Sequence, residues 1–225
     1  MVQSNIRLRI IRAVFGEGSH RYKAASASLA VSSTDKNRTR KTCYGENIPA
    51  HLEPAVNPPS CLKKAQTSFK ILFEETEFSL TKSEVIKREG LPVCTKDGTH
   101  AGNWEVAGYE GMFRGVNIRK YYYFLNNKFV FGEIRLGKES NGISRDAGDA
   151  GYQSIFRIAH QKLCESIVLR YQVNIPGGSD GFSITDPAGS TIVFCSDGQY
   201  TWVRFLQAGS SEVKKAMDEL FPGAG

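Results

Sequence analysis

Regular spacing of hydrophobic and polar positions begins at Ser68. "FKILFEETEF" (residues 69–78) alternates loosely and predicts a strand. Thr81 and Glu84 then have the T-x-x-E spacing of a capping box, in which each side chain satisfies a free backbone N–H of the first helical turn. Leu80 and Val85 stand at the N′ and N4 positions of a hydrophobic staple. Gly90 suits the left-handed position after a helix, and Pro92 prevents continuation. The spacing predicts a short helix between Thr81 and Gly90.

Further along, "NWEVAGYEGMFRGVN" (residues 103–117) reads as strands interrupted by glycines. Tyr121–Leu125 and Lys128–Leu136 are β-rich runs joined by Asn126-Asn127, a pair that tolerates positive φ and predicts a tight hairpin. Gly132 marks the expected bulge. Tyr152, Ile155, Phe156, Ala159, Leu163, Ile167 and Tyr171 recur at helical spacing and predict the longest helix. "GFSITDPAGSTIVF" predicts a hairpin turned by Asp186-Pro187-Ala188-Gly189, and "YTWVRFL" a further strand. Ser210 or Ser211 caps an expected last helix bearing Val213, Met217 and Leu220.

Short hairpin links imply antiparallel pairing. The expected fold class is therefore α+β, an antiparallel sheet with helices packed on one face. Two helix-then-sheet runs, 68–137 and 145–207, suggest two degenerate units inside a domain spanning 67–225.

Residues 1–66 differ in kind. A basic "IRLRIIRAVF" leads into "KAASASLAVSSTDKNRTRK" and then the proline-rich "NIPAHLEPAVNPPS". Such composition buries too little apolar surface to offset ordering entropy, so this stretch is expected to be a flexible extension. The small residues of "ASASLA" lack the apolar segment of a secretory signal before them, whereas the Arg- and Ser-rich start has the character of organellar targeting.

The formal charge of +6 sits in this extension. Nine of the 29 Lys/Arg and two of the 23 Asp/Glu fall within residues 1–42, and the remaining 20 basic and 21 acidic residues nearly cancel. Nucleic acid or an anionic surface is accordingly expected only as a partner of the tail, through phosphate contacts without base readout. No apolar run reaches the roughly 20 residues of a membrane-spanning helix.

Candidate chemistry is sparse. Cys43, Cys61, Cys94, Cys164 and Cys195 contain no C-x-x-C; Cys43 and Cys61 bracket the proline-rich stretch and can close a loop in an oxidising compartment. His160 and Cys164 share a helix face, but no third metal ligand lies nearby in sequence. Glu139, Asp146 and Asp149 fit no cation-loop spacing and read as solvated. "YEGMFRG" lacks the G-x-x-x-x-G-K-[ST] pattern, and no serine lies in a G-x-S-x-G elbow. No catalytic residue, metal ligand or cofactor is expected.

The aromatic run is the one candidate surface. Tyr121 and Tyr123 share one face of a strand and Tyr122 and Phe124 the other, with Phe129 and Phe131 following on the next strand. One face is expected to pack against helices; the other is expected either to be covered as further core or to offer a protein- or ligand-binding surface, and the second reading makes these six residues the candidate binding site.

Phe78–Pro92 has the form F-x-L-x-x-x-E-V-x-x-x-x-G-x-P. It resembles the start of the SmpA/OmlA module of outer-membrane assembly lipoproteins (the BamE type) and the related helix-plus-sheet repeats of β-lactamase inhibitor proteins. That resemblance implies helices lying across an antiparallel sheet and a non-enzymatic role in binding another protein, in a cell-envelope setting. "NPPSC" and "RKTC" are poor matches to the lipid-accepting cysteine box of such lipoproteins. "GFSITDPAGSTIVF" is similar to the closing hairpin of the vicinal-oxygen-chelate superfamily, which implies as an alternative a small-molecule-binding protein or metal-dependent enzyme. The four histidines, His20, His51, His100 and His160, do not supply that superfamily's metal set.

Overall fold

A computed structural model describes residues 41–42, 59–96, 103–137, 149–175, 181–197, 200–207, 215–216 and 218–219. Its strands are β1 (Lys41–Thr42), β2 (Lys63–Gln66), β3 (Cys94–Lys96), β4 (Trp104–Phe113), β5 (Val116–Leu125), β6 (Lys128–Gly137), β7 (Gly181–Thr185), β8 (Thr191–Ser196) and β9 (Tyr200–Leu206). Helix α1 (Lys82–Glu89) precedes β3, and helix α2 (Asp149–Tyr171) precedes β7. Among the described residues all nine strands form one sheet in the order β1-β3-β4-β5-β6-β9-β8-β7-β2. The fold is α+β with a mostly antiparallel sheet; the two outermost pairs, β1 with β3 and β2 with β7, are parallel.

Local chemistry explains the elements. Asn126 and Asn127 take φ of +50° and +62°, the left-handed pair that a two-residue hairpin needs, and join β5 to β6. Arg114 and Gly115 turn β4 into β5, also at positive φ. The β7–β8 turn closes when the Gly189 N–H donates to the Asp186 carbonyl at 2.9 Å. In α1, Thr81 is the N-cap and both halves of the capping box form with Glu84. Gly90 follows at φ +91°, and its N–H donates to the Ile86 carbonyl at 2.8 Å. Asn127 ties this helix to the hairpin by accepting from the Lys82 N–H at 3.2 Å.

The sheet buries both faces. On the inner face α2 lays down Tyr152, Phe156, Ala159, Leu163, Ile167 and Tyr171, and α1 contributes Val85. They meet Ile118, Tyr122, Ile134, Leu136, Phe182, Ile184, Ile192, Phe194, Val203 and Phe205 from the strands. The outer face holds a second cluster of Cys94, Trp104, Val106, Tyr121, Tyr123, Leu125, Val130, Phe131 and Ala216. Ala216 is helical, so helical structure lies against the outer face too, contrary to the expected gathering on one face.

Four further expectations are corrected. Residues 69–78 are not a strand: Glu74 and Glu75, at φ +49° and +67°, make a tight turn bridged only between Phe73 and Thr76. This segment is a strap across the inner face, and it is anchored by side chains instead of by a ladder. Asp186 accepts from the Ile71 N–H at 2.9 Å, while the Tyr171 hydroxyl donates to the Leu72 carbonyl at 3.0 Å. Residues 63–66, read as extension, add a parallel strand to β7, because Ala65 turns inward opposite Ile184 and packs on the core. Ile155, assigned to the helix core, is exposed. Of the glycines of 103–117, Gly115 separates two strands as expected, but Gly108 and Gly111 do not, since β4 runs unbroken through both. The positions Ser210, Ser211, Val213, Met217 and Leu220 lie outside the described residues.

Candidate functional site

Alternation along β5 separates the aromatic run as expected: Tyr121 and Tyr123 face outward, Tyr122 and Phe124 inward. On β6 alternation fails. A bulge shifts the register between Tyr123, opposite Phe131, and Phe124, opposite Phe129, so Phe129 and Phe131 fall on opposite faces. The bulge lies at Val130, not at Gly132. Gly132 instead permits a close approach, since a Cβ there would stand 2.5 Å from the ring of Phe73.

Both sets are sealed. Tyr121, Tyr122, Tyr123, Phe124, Phe129 and Phe131 are each 3% exposed or less. Inside, Phe73 meets Tyr122 edge-on at 4.7 Å between centroids and Phe205 at 5.1 Å, and Phe78 stacks on Phe129 at 5.2 Å. Outside, Tyr123 meets Phe131 at 4.9 Å. The six aromatics therefore build core on two faces, which agrees with the covered reading and corrects the reading of an exposed binding face at Tyr121–Phe131.

Charge is buried among the outer aromatics. Glu133 lies opposite Arg204 across β6 and β9 and opposite Tyr121 across β5 and β6. It is fully buried and pairs with Arg135. Burial works against the Arg135 charge, but the Glu133 carboxylate outweighs it and holds the guanidinium pKa above its ordinary value. Burial and then Glu133 push the Tyr123 hydroxyl upward. Arg135 lies over the Tyr121 ring at 5.3 Å, and Arg204 over Trp202 at 5.8 Å. Guanidinium groups do not give up protons, so Arg135 and Arg204 stand here as fixed positive charges beside Glu133.

A second polar set lies inside. Burial, followed by the Glu89 charge, raises both Tyr109 and Tyr122 far above the ordinary phenol value. The Tyr109 hydroxyl donates to the Gly90 carbonyl at 3.2 Å, whereas the Tyr122 hydroxyl makes no hydrogen bond of good geometry. Burial therefore keeps both phenols protonated near neutral pH.

The metal candidates do not assemble. His160 Nδ1 pairs with Thr201 Oγ1 at 2.8 Å and its ring packs between Phe156 and Phe194. Cys164 is half-buried one turn on, with its thiol pKa raised by burial and by Glu165. Among the described residues no three His, Cys, Asp or Glu side chains group as metal ligands. His20, His51, His100, Glu139 and Asp146 lie outside those residues. Cys94 is disulfide-bonded. Cys61 is a free thiol, and Cys43 lies outside the described residues. No helix among the described residues is long and apolar enough to cross a membrane.

Backbone groups left without a ladder form the remaining candidate site. β3 pairs with β4 only over Val106–Gly108, although β4 continues to Phe113. Pro92, lacking an N–H, ends the neighbouring strand. On that side the Gly108 carbonyl accepts from the Val93 N–H at 2.8 Å. Alternation then turns the N–H and C=O of Glu110 and Met112 the same way, where no described strand meets them. Around this edge Leu91, Val93 and Met112 are exposed, Met112 at 63%. The opposite margin differs: β2 presents exposed Lys63 and Lys64, charges that discourage strand addition. Comparison with protein-family models, curated proteins and solved structures finds no match to this chain.

Proposed function

We propose that this chain is a non-enzymatic protein-binding module whose partner adds an extended segment to the open edge of β4. The carrying observation is that, on the side of β4 away from β5, the backbone groups of Glu110 and Met112 meet no described strand, beside exposed Leu91, Val93 and Met112. A bare strand edge supplies a row of donors and acceptors, and adjacent apolar side chains supply selectivity for the added strand's alternate residues. The partner segment is accordingly extended and apolar at every second position.

Two features support the reading. The described polar clusters are charge pairs and high-pKa phenols, which suit a scaffold better than a reaction centre. The chain order also gives two runs, α1 followed by β3 to β6 and α2 followed by β7 to β9, that meet through β6 and β9. We take this as two degenerate helix-and-meander units, in keeping with a binding-module resemblance at Phe78–Pro92.

Photo-crosslinking tests the reading directly. A photoreactive side chain at Met112 is expected to trap a partner in the native source extract, while the same group at Lys63 on the far margin traps none. Met112→Lys is expected to lower capture by at least about tenfold with an unchanged melting temperature. Equal adducts from both positions, or undiminished capture by Met112→Lys, would overturn it.

A further inference from the structure

The sulfur of Cys94 occupies the space over Gly108, its ladder partner across β3 and β4. A Cβ on that glycine would stand 2.4 Å from Cys94 Sγ and 3.1 Å from the ring of Tyr121. Cys94 is buried in the outer cluster, and its sulfur is disulfide-bonded. Of the other four cysteines, Cys61, Cys164 and Cys195 are free thiols, which leaves Cys43 as the partner. The strand register agrees. β1 ends at Thr42 and runs parallel to β3, with Lys41 opposite Cys94 and Thr42 opposite Thr95. The chain therefore lies alongside Cys94 immediately before it reaches Cys43.

We propose that Cys43 and Cys94 form a structural disulfide, made in an oxidising compartment by exchange with a disulfide donor. One thiolate of the pair attacks a sulfur of the donor, forming a mixed disulfide and releasing one donor thiolate. The second cysteine, as thiolate, then attacks the protein sulfur of the mixed disulfide, and the other donor thiolate leaves. The chain gives up two protons and two electrons, and the donor disulfide becomes two thiols. The link closes the 50 residues from 44 to 93 into a ring. That ring contains β2, which lies at the margin of the sheet opposite β1, so one covalent bond ties chain from both margins together. β1 has only two residues in its ladder, too short a strand to be held by backbone pairing alone. Closing so long a loop also removes conformational freedom from the unfolded chain.

Peptide mapping of the full-length protein tests the pair. The native source is quenched in acid, and the protein is alkylated in denaturant and digested without reductant by trypsin and a glutamate-specific protease. Cleavage after Glu46 separates Cys43 from Cys61. The expected product joins the Cys43 and Cys94 peptides, about 2 Da lighter than the two thiol peptides together, while Cys61, Cys164 and Cys195 carry the alkyl group. Purified protein, first reduced and then given glutathione disulfide, is expected to regain the same link. Cys43→Ser is expected to leave Cys94 alkylatable and to lower the melting temperature by about 5 °C or more, whereas Cys61→Ser keeps both the link and the melting temperature. The proposal is overturned if Cys94 from the native source is alkylated, or if Cys43 is found joined to Cys61. It is overturned equally if Cys43→Ser melts where the native protein does.

Discussion

The ring of Phe73 rests against the α-carbon of Gly132, so close that a methyl group on Gly132 would lie 2.5 Å from two of its carbons. Phe73 is the centre of the inner aromatic packing, in contact range of Tyr122, Phe129 and Phe205. Gly132 is therefore kept small by the strap that crosses it. Gly132→Ala is expected to destabilise the fold by about 1–3 kcal/mol through overpacking. Phe73→Ala is expected to cost about 3–5 kcal/mol through loss of a buried ring. Combined, the two should cost less than their sum, because the cavity left by the ring receives the methyl. Urea titrations of the four proteins measure this coupling, and strict additivity would disprove the contact.

Asp186 anchors the same strap at its other end. Its buried carboxylate accepts from the Ile71 N–H at 2.9 Å and from the Ser190 N–H at 2.8 Å, joining the strap to the β7–β8 turn. Asp186→Ala leaves two buried donors unpaired, at about 1–3 kcal/mol each. Asp186→Asn matches the shape but turns an NH2 toward one of those donors, so it should also destabilise clearly. Full rescue by asparagine in denaturant titrations would show that shape, and not acceptance, is what the site requires.

Acid should loosen α1 through one identifiable group. Hydrogen bonds from the Thr81 side chain and backbone hold the Glu84 pKa below the ordinary glutamate value. A depressed folded-state pKa means that the stabilisation is complete above the ordinary value. It is lost as pH falls through the lower folded value. The acid limb of a stability-against-pH curve should therefore flatten in Glu84→Gln and in Thr81→Ala. An NMR titration should place Glu84 nearer the ordinary value in Thr81→Ala.

How far the fold can be read from sequence depends on how local its causes are. The Thr81–Glu84 box, the Asn126-Asn127 turn, the Asp186–Gly189 turn and the α2 stripe each complete their interactions within a few residues, and all four are present. Residues 69–78 misled because their hydrophobic content is right for a strand, while their backbone partners, Asp186 and Tyr171, are remote in sequence. Lys63–Gln66 carries almost no apolar signal, since only Ala65 turns to the core, and it is recruited by the free edge of β7. The aromatic run was legible in its alternation along β5. The choice between a covered and an open outer face was not, because the bulge at Val130 and the packing of Ala216 on that face are long-range facts. That no described strand pairs with β4 beyond Gly108 had a trace in Pro92, whose missing N–H stops the adjoining strand, but the length by which β4 outruns β3 had none.

Alkaline unfolding should be steep, and buried phenols should set it. Tyr109, Tyr122 and Tyr123 all have pKa values raised mainly by burial, with Glu89 acting on the first two and Glu133 on the third. A group whose folded pKa exceeds its unfolded value contributes stability that is whole below the unfolded value, about 10 for tyrosine. It wanes as pH climbs beyond that point, because the unfolded chain releases protons that the folded chain keeps. Tyrosinate absorbance should thus rise in two stages, exposed phenols first and the buried ones together with loss of near-ultraviolet dichroism. Tyr122→Phe should lessen the alkaline slope. At neutral pH it should change stability by no more than about 1 kcal/mol, since the hydroxyl it removes has no well-formed hydrogen bond. Tyr122→Ala, by contrast, removes a fully buried ring and should cost about 3–5 kcal/mol. Smooth ionisation of every tyrosine near the ordinary value, with the fold intact, would contradict the burial of all three.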